Sequence, residues 1–353
     1  MPDLPPKPTR TLRLRIDAGA LAANWQTLST LSGNAEAGAA VKANGYGLGV
    51  AQVMPALIEA GAREFFVAHW SEVDSLLDHT LPGQISVLHG PLTAQDAAYA
   101  KTIGVRPTIN SLHQAKLWLD AGGGACDLMV DTGINRLGLP LNEVGDPLVE
   151  QLEIELLMSH LASADEDSAL NAVQLERFRE VCTAIPAKRR SLANSAGIAL
   201  GTEYSFDLTR PGLSLYGGVP RVELAGAIRQ VAFPEAALIQ VKDIAAGDSV
   251  GYNAVFTAPR AMRVGTVSLG YADGMLRSWG GKGWLESNGA KLPLLGKVSM
   301  DMVVVDLTAA PKLCEGDWLA LPYALPEAAD LTGLSQYELL TLLGRRYARD
   351  SQL

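Results

Sequence analysis

At 353 residues the chain exceeds the usual single-domain range, and 48% hydrophobic with 19% charged residues describes a globular protein. Aromatics at 6% are too sparse for surfaces that stack single-stranded nucleic acid, and a net charge of -9 repels phosphate backbones. Lys188-Arg189-Arg190 is the one basic cluster, so nucleic acid is excluded as a partner.

The opening MPDLPPKPTR carries prolines and charges but no apolar core, so no signal peptide is expected. No apolar run reaches the roughly 18 residues of a membrane span. Cys126, Cys182 and Cys314 are widely separated and make neither a metal spacing nor a disulfide framework. The five histidines form no HxxxH-type pair, and no metal is expected. The chain reads as cytoplasmic and reduced.

Short apolar runs then alternate with helical patterns. The expected strands are AGAAVK (37–42), FFVAHW (65–70), ISVLHG (85–90), VRPTIN (105–110), CDLMVDTG (126–133), IELLMSHLA (154–162), RRSLANS (189–195) and FDLTRPGLSLYG (206–217). Between them, segments such as VAQVMPALIEAGA and LNAVQLERFREVCTAI place apolar residues at helical spacing. Eight strands with intervening helices predict an α/β fold, a (β/α)8 barrel over residues 10–230. A doubly wound sheet is the alternative, although nothing marks a reversal of strand order. From residue 231 to 353 the rhythm becomes β-rich, with turn signals such as Gly280-Gly281 and Ser287-Asn288-Gly289, which predicts a smaller all-β domain.

In a parallel barrel, functional residues sit where strands end. Those positions hold Lys42, His69, His89, Asn110, Asp131 with Arg136, His160, Asn194 with Ser195, and Arg210. Lys42 is the one plausible covalent nucleophile among them. A strand-end lysine either snorkels to solvent or forms a Schiff base with an aldehyde such as pyridoxal 5′-phosphate (PLP). The turn Asn194-Ser195-Ala196-Gly197 offers a hydroxyl and backbone N–H groups to a phosphate, and Gly212 permits close backbone approach; a plain turn fits both segments equally.

AVKANGYGLG (40–49) closely resembles the cofactor-lysine motif of the alanine racemase family. VDTGINRLGL (130–139), MSHLASAD (158–165), LANSAG (192–197), TRPGLSLYG (209–217), VGYNAVFTAPR (250–260), LGYADG (269–274) and KVSMDMVVVD (297–306) follow in family order. The resemblance implies a PLP-dependent racemase, a homodimer with active sites shared across its interface, interconverting L- and D-alanine and supplying D-alanine for peptidoglycan. A broad-specificity racemase accepting serine is the nearest alternative. A decarboxylase sharing the barrel, or a non-catalytic PLP carrier, would lack the tyrosine-bearing second domain in this form.

Residue by residue, the resemblance implies that Lys42 holds PLP and serves as base on one face of Cα, with Tyr252 the base on the other, supplied by the partner subunit. It implies that Tyr46, His160, Asn194, Ser195, Gly212, Leu213 and Tyr337 surround the cofactor. Arg210 would face the pyridine nitrogen, where a guanidinium can only donate. His160, with Arg210, would lower the Tyr252 pKa. Arg136 and the partner's Met300 would contact substrate, and Tyr271 would stand at the entrance. Five positions depart from the family pattern, among them Leu48 and Lys297 in place of a frequent histidine and arginine. Met129 stands where many relatives carry a carboxylated lysine beside the arginine, Asn135 replaces a common glycine, and Ser191 replaces a histidine behind the PLP-facing arginine.

Overall fold

The computed structural model describes residues 8–350, which form two compact units: residues 18–229, and residues 8–17 together with 230–350. The first unit's strands are β2 (Glu36–Ala37), β3 (Ala39–Ala40), β4 (Phe65–Val67), β5 (Ile85–Val87), β6 (Arg106–Ile109), β7 (Ala125–Asp131), β8 (Leu139–Pro140), β9 (Glu153–Met158), β10 (Arg189–Ser191) and β11 (Leu208–Thr209); β1 (Leu12–Ile16) belongs to the other unit. Strands β3-β4-β5-β6-β7-β9-β10 are hydrogen-bonded neighbours in that order, all parallel. The run Asp207–Pro211 closes the ring. Its β11 pairs with β2, while Asp207 N and Arg210 N donate to Arg190 O and Ala193 O at 3.0 and 2.9 Å. The structure is therefore a barrel and not a doubly wound sheet. Strands such as FFV and ISV are buried throughout, as a parallel sheet covered by helices requires.

Charged residues plug the N-terminal rim. Arg106, which opens β6, donates from Nε to Asp127 Oδ1 at 3.2 Å and from Nη2 to Glu64, while Ser86 Oγ donates to Asp127 Oδ2 at 2.5 Å. Arg189, which opens β10, bonds Glu64 at 2.7 Å and Glu36 at 2.9 Å. Asp127 is fully buried, and its carboxylate is matched by a guanidinium and a hydroxyl. This ionic floor leaves the opposite rim free for chemistry.

The second unit is antiparallel. It adds to β1 the strands β12 (Ala232–Ile244), β13 (Ser249–Val250), β14 (Phe256–Thr257), β15 (Met262–Val267), β16 (Trp284–Ser287), β17 (Ala290–Leu295), β18 (Val303–Asp306), β19 (Trp318–Ala320) and β20 (Ala348–Asp350). The order β15-β18-β17-β16-β19-β12 closes on itself because β12 also pairs with β15. A register shift between Leu238 and Gln240 lets the long β12 serve both: its first half bonds β1 and β19, its second half β15. Val250, Ala258, Met262, Val264 and Leu295 fill part of its core.

Candidate active site

The first barrel strand ends in an unusual bend. After Val41, whose N–H donates to Phe66 O at 2.9 Å, residues Ala43, Asn44, Gly45 and Tyr46 all take left-handed φ, at 54°, 55°, 63° and 53°. Three of these are not glycine, and each such L-residue costs about 1–2 kcal/mol. Several contacts offset that strain. Asn44 Oδ1 accepts from Val50 N at 2.9 Å, the Tyr46 ring stacks on Tyr216 at 4.7 Å, and Tyr216 Oη donates to Ala40 O at 2.9 Å. Backbone strain held this firmly is a mark of functional loops.

Lys42 opens this bend, half-buried. Among the described residues its ammonium has no hydrogen bond and no ion pair. Burial, then the positive charges of Arg136 and Arg210, hold its pKa below the usual lysine range, against a smaller opposing pull from Glu72. Such an amine is less basic than a free lysine, which favours its use as a nucleophile.

Beside it lies a set of donors with no carboxylate. Ser195 Oγ, buried, accepts from Gly212 N at 2.9 Å and Ser214 N at 3.2 Å, which leaves its own proton to be donated outward. Leu213 is buried, and its N–H has no partner among the described residues. Gly212 backs directly onto the Tyr46 hydroxyl, where a Cβ would collide. Asn194 Oδ1 accepts from Gly197 N at 2.8 Å and so caps the short helix Ser195–Leu200. A phosphate monoester needs many donors in a small space, and these residues fit one.

Arg210 is buried in the barrel. Its Nε donates to Ser191 Oγ at 2.9 Å, and its Nη2 donates to the carbonyls of Ser159 and, at 3.3 Å, Leu192. Nη1 has no protein partner among the described residues, so it is available to an acceptor. Burial pushes the guanidinium down to about 10, and it remains protonated at neutral pH. Ser191 thus takes the supporting place that the resemblance gives to histidine.

His160 follows β9 and is half-buried. Burial, then Arg210, Lys42 and Arg136, push it down to about 3. The imidazole is neutral at physiological pH, so it brings no positive charge with which to lower a tyrosine pKa. Arg136 sits in the loop after β7, fixed through its backbone N–H to Asp131 Oδ2 at 3.1 Å. No carboxylate pairs with its guanidinium among the described residues. Asn135 beside it is left-handed at φ 54°, and Met129 is buried at 6% exposure in the strand below.

In the antiparallel unit, Tyr252 lies on a short 3-10 turn and is 73% exposed. The neighbouring Asn253 Oδ1 accepts from Lys297 Nζ at 3.0 Å, and Tyr271 N donates to Ser299 O at 3.0 Å. Gly270 lies so close to Met300 O that a side chain there would collide, and Met300 itself is 53% exposed. The segments bearing Tyr252, Tyr271 and Met300 are therefore joined on one side of this unit. Tyr337 is 46% exposed on the helix Gln336–Thr341.

Two contributors escaped sequence reading. Tyr216 was visible only as part of TRPGLSLYG, and its stacking on Tyr46 depends on barrel closure. Glu72 follows His69 by three residues, the spacing of a capping carboxylate, and that spacing was its only signal. Among the described residues no cluster of His, Cys, Asp and Glu could hold a metal, and no helix is long and apolar enough to cross a membrane.

These features define a class: a closed parallel barrel with a strained lysine turn and a phosphate-ready rim, followed by an antiparallel β-unit. Comparison with known proteins gives the family. The alanine racemase N-terminal domain matches residues 16–220 and the alanine racemase C-terminal domain residues 231–351. An alanine racemase of Methylobacterium nodulans is 41% identical over 96% of this chain and 95% of its own length. A biosynthetic alanine racemase of Agrobacterium fabrum is 40% identical over 96% and 93%. The crystal structure of alanine racemase from Bartonella henselae with covalently bound pyridoxal phosphate superposes with a TM-score of 0.88 at 36% identity, covering 96% of this chain and 99% of that one. The chain belongs to the alanine racemase family.

Proposed function

We propose that this protein is a PLP-dependent alanine racemase that interconverts L- and D-alanine and supplies D-alanine for peptidoglycan. The observation that carries the reading is Lys42: an amine of depressed basicity, without a hydrogen-bond partner among the described residues, set on a strained turn beside a cradle of donors. Relatives about 40% identical over nearly their full length bear the same activity in their names.

Lys42 would hold PLP covalently, with Tyr46, Ser195, Gly212 and Leu213 around its phosphate. PLP, when bound, supplies the electron sink that acidifies the Cα–H of an amino acid joined to it. Arg210 Nη1 would donate to the ring nitrogen and, being protonated, keep that nitrogen from taking a proton. Arg136 would bind the substrate carboxylate. Lys42 Nζ would remove or return the Cα proton on one face and Tyr252 Oη on the other. His160 enters as a neutral hydrogen-bonding group, and Asn194 acts through its cap. Tyr337 would line the cofactor, Met300 would touch substrate and Tyr271 would stand at the entrance.

Tyr252, Tyr271 and Met300 would reach the site of a second copy, so the enzyme is a homodimer with shared sites. Support comes from the exposure of Tyr252 and Met300 on one side of their unit. The three free cysteines accord with a cytoplasmic location.

The test is chiral analysis of L-alanine, L-serine and other small amino acids incubated with PLP-loaded protein, paired with borohydride reduction and peptide mapping. Racemised alanine and a pyridoxyl group on Lys42 are expected. A pyridoxyl group on another lysine, or none, would sink the reading. Equal turnover of serine would make the enzyme a broad racemase.

A further inference from the structure

Lys42's bend is tied to its neighbouring strand by one carboxylate. Glu72 is half-buried, and its Oε2 accepts from Ala68 N at 2.8 Å and His69 N at 3.0 Å, at the end of β4. Its Oε1 accepts from Asn44 N at 3.3 Å, inside the left-handed turn that follows Lys42. These three amides have no other acceptor among the described residues. Four left-handed residues in succession need contacts to hold them, and Glu72 supplies one beside the backbone bonds from Gly45 N to Val41 O at 2.8 Å and from Gly47 N to Ala43 O at 2.9 Å. The carboxylate is also a negative charge that pulls on Lys42 against Arg136 and Arg210.

We propose that Glu72 is the positioning residue of Lys42: it pins the turn that aims the amine and supplies a negative charge that opposes Arg136 and Arg210 there. The inference rests on Lys42 being the cofactor lysine and base. The groups facing Lys42 across the rim are Arg136 and Arg210, with His160 and His89 each feeling its charge; His89 in turn packs edge-on to His69 at 4.2 Å. All of these except Glu72 are cationic or neutral. Glu72 is accordingly the group whose neutralisation moves Lys42 furthest toward the free amine.

Glu72→Gln and Glu72→Asp separate the two roles. In Glu72→Gln one acceptor oxygen becomes a donor facing backbone N–H groups, and the charge is lost. Its kcat is expected to fall roughly 10- to 100-fold, the order set by misplacing a reacting group, with KM for alanine nearly unchanged. In the apo-protein, trapping of Lys42 by PLP and borohydride is expected to reach its half-maximum at lower pH than in the parent. Glu72→Asp keeps the charge but is too short to span, so it should lose kcat while its trapping midpoint stays near the parental pH. A scaffold role alone would lower thermal stability and leave both midpoints unmoved. Unchanged midpoints, or kcat within twofold of the parent in both variants, would overturn the proposal. If the variants do not fold, amide exchange in the parent protein decides. Asn44, Ala68 and His69 amides should be protected like barrel-strand amides, and exchange at open-loop rates would refute the tether. Trapping on a lysine other than Lys42 would instead refute the functional reading and leave the tether standing.

Discussion

Gly212 lies with its Cα against the Tyr46 hydroxyl, so that any Cβ would occupy the space of that oxygen. Glycine is needed here for space, because an added Cβ would overlap that oxygen. Tyr46 cannot retreat, because its ring is stacked on Tyr216. Gly212→Ala should therefore open the phosphate cradle at a cost of about 1–3 kcal/mol, the usual range for overpacking. PLP affinity, followed by absorbance titration, should weaken about 10- to 100-fold. Parental affinity would show that Tyr46 does not form the cradle wall.

His160 predicts an acid sensitivity. Its folded pKa is pushed down to about 3 from an ordinary 6.5, first by burial and then by Arg210, Lys42 and Arg136. Below pH 6.5 the unfolded chain takes up a proton that the folded chain refuses, so stability falls as pH drops from 6.5 toward 3. Above pH 6.5 this group makes no pH-dependent contribution. His160→Gln should flatten part of the decline between neutral and mildly acid pH, read from urea midpoints. An identical pH slope in both proteins would mean the imidazole is solvated.

Much of this was legible in the chain. Strand ends at Lys42, His160, Ser195 and Arg210 followed from apolar runs that stop at polar residues, because a parallel barrel puts its working side chains there. Strand β1 was not legible. Its LRLRI alternation is short, and its partners β12 and β20 lie more than 200 residues away. The left-handed turn was hidden as well. Asn44-Gly45 suggests a bend, but Ala43 and Tyr46 carry no local signal for positive φ and take it within a turn that Val50, Glu72 and Tyr216 help to hold. His160 shows the same limit: its neutrality comes first from burial and then from Arg210, Lys42 and Arg136, which folding brings near it.

The ionic floor gives a stability prediction. Arg106 is buried between Asp127 and Glu64, and Asp127 is fully buried. Arg106→Met removes the guanidinium and leaves that carboxylate uncompensated, which typically costs about 3–5 kcal/mol. Adding Asp127→Leu to Arg106→Met should recover much of the loss, since the stranded charge is then gone. Denaturant unfolding of the two variants measures this. No recovery in the double variant would show that the loss does not come from a stranded Asp127 carboxylate, the Ser86 hydroxyl being enough to satisfy it.

The last prediction concerns Tyr252 and which chain it serves. Tyr252→Phe keeps the ring and removes the hydroxyl that would act on one face of Cα. General acid–base groups contribute roughly 10²–10⁴-fold, so racemisation should fall by that order. Cofactor absorbance should stay normal because Lys42 is untouched. Exchange of the Cα proton of D-alanine with deuterated solvent should persist, since Lys42 still serves its own face. Tyr271→Phe should act mainly on substrate affinity, because its backbone is fixed to Ser299 and its ring is shared with Arg277 at 5.4 Å. Lys42→Ala and Tyr252→Phe chains should each lack racemase activity alone. In a mixed dimer, the Lys42 of the Tyr252→Phe chain meets the Tyr252 of its partner, and one site should work. Recovered racemisation after subunit exchange supports a tyrosine supplied across the interface. A mixture that exchanges subunits yet stays inactive would place each tyrosine with its own chain's lysine.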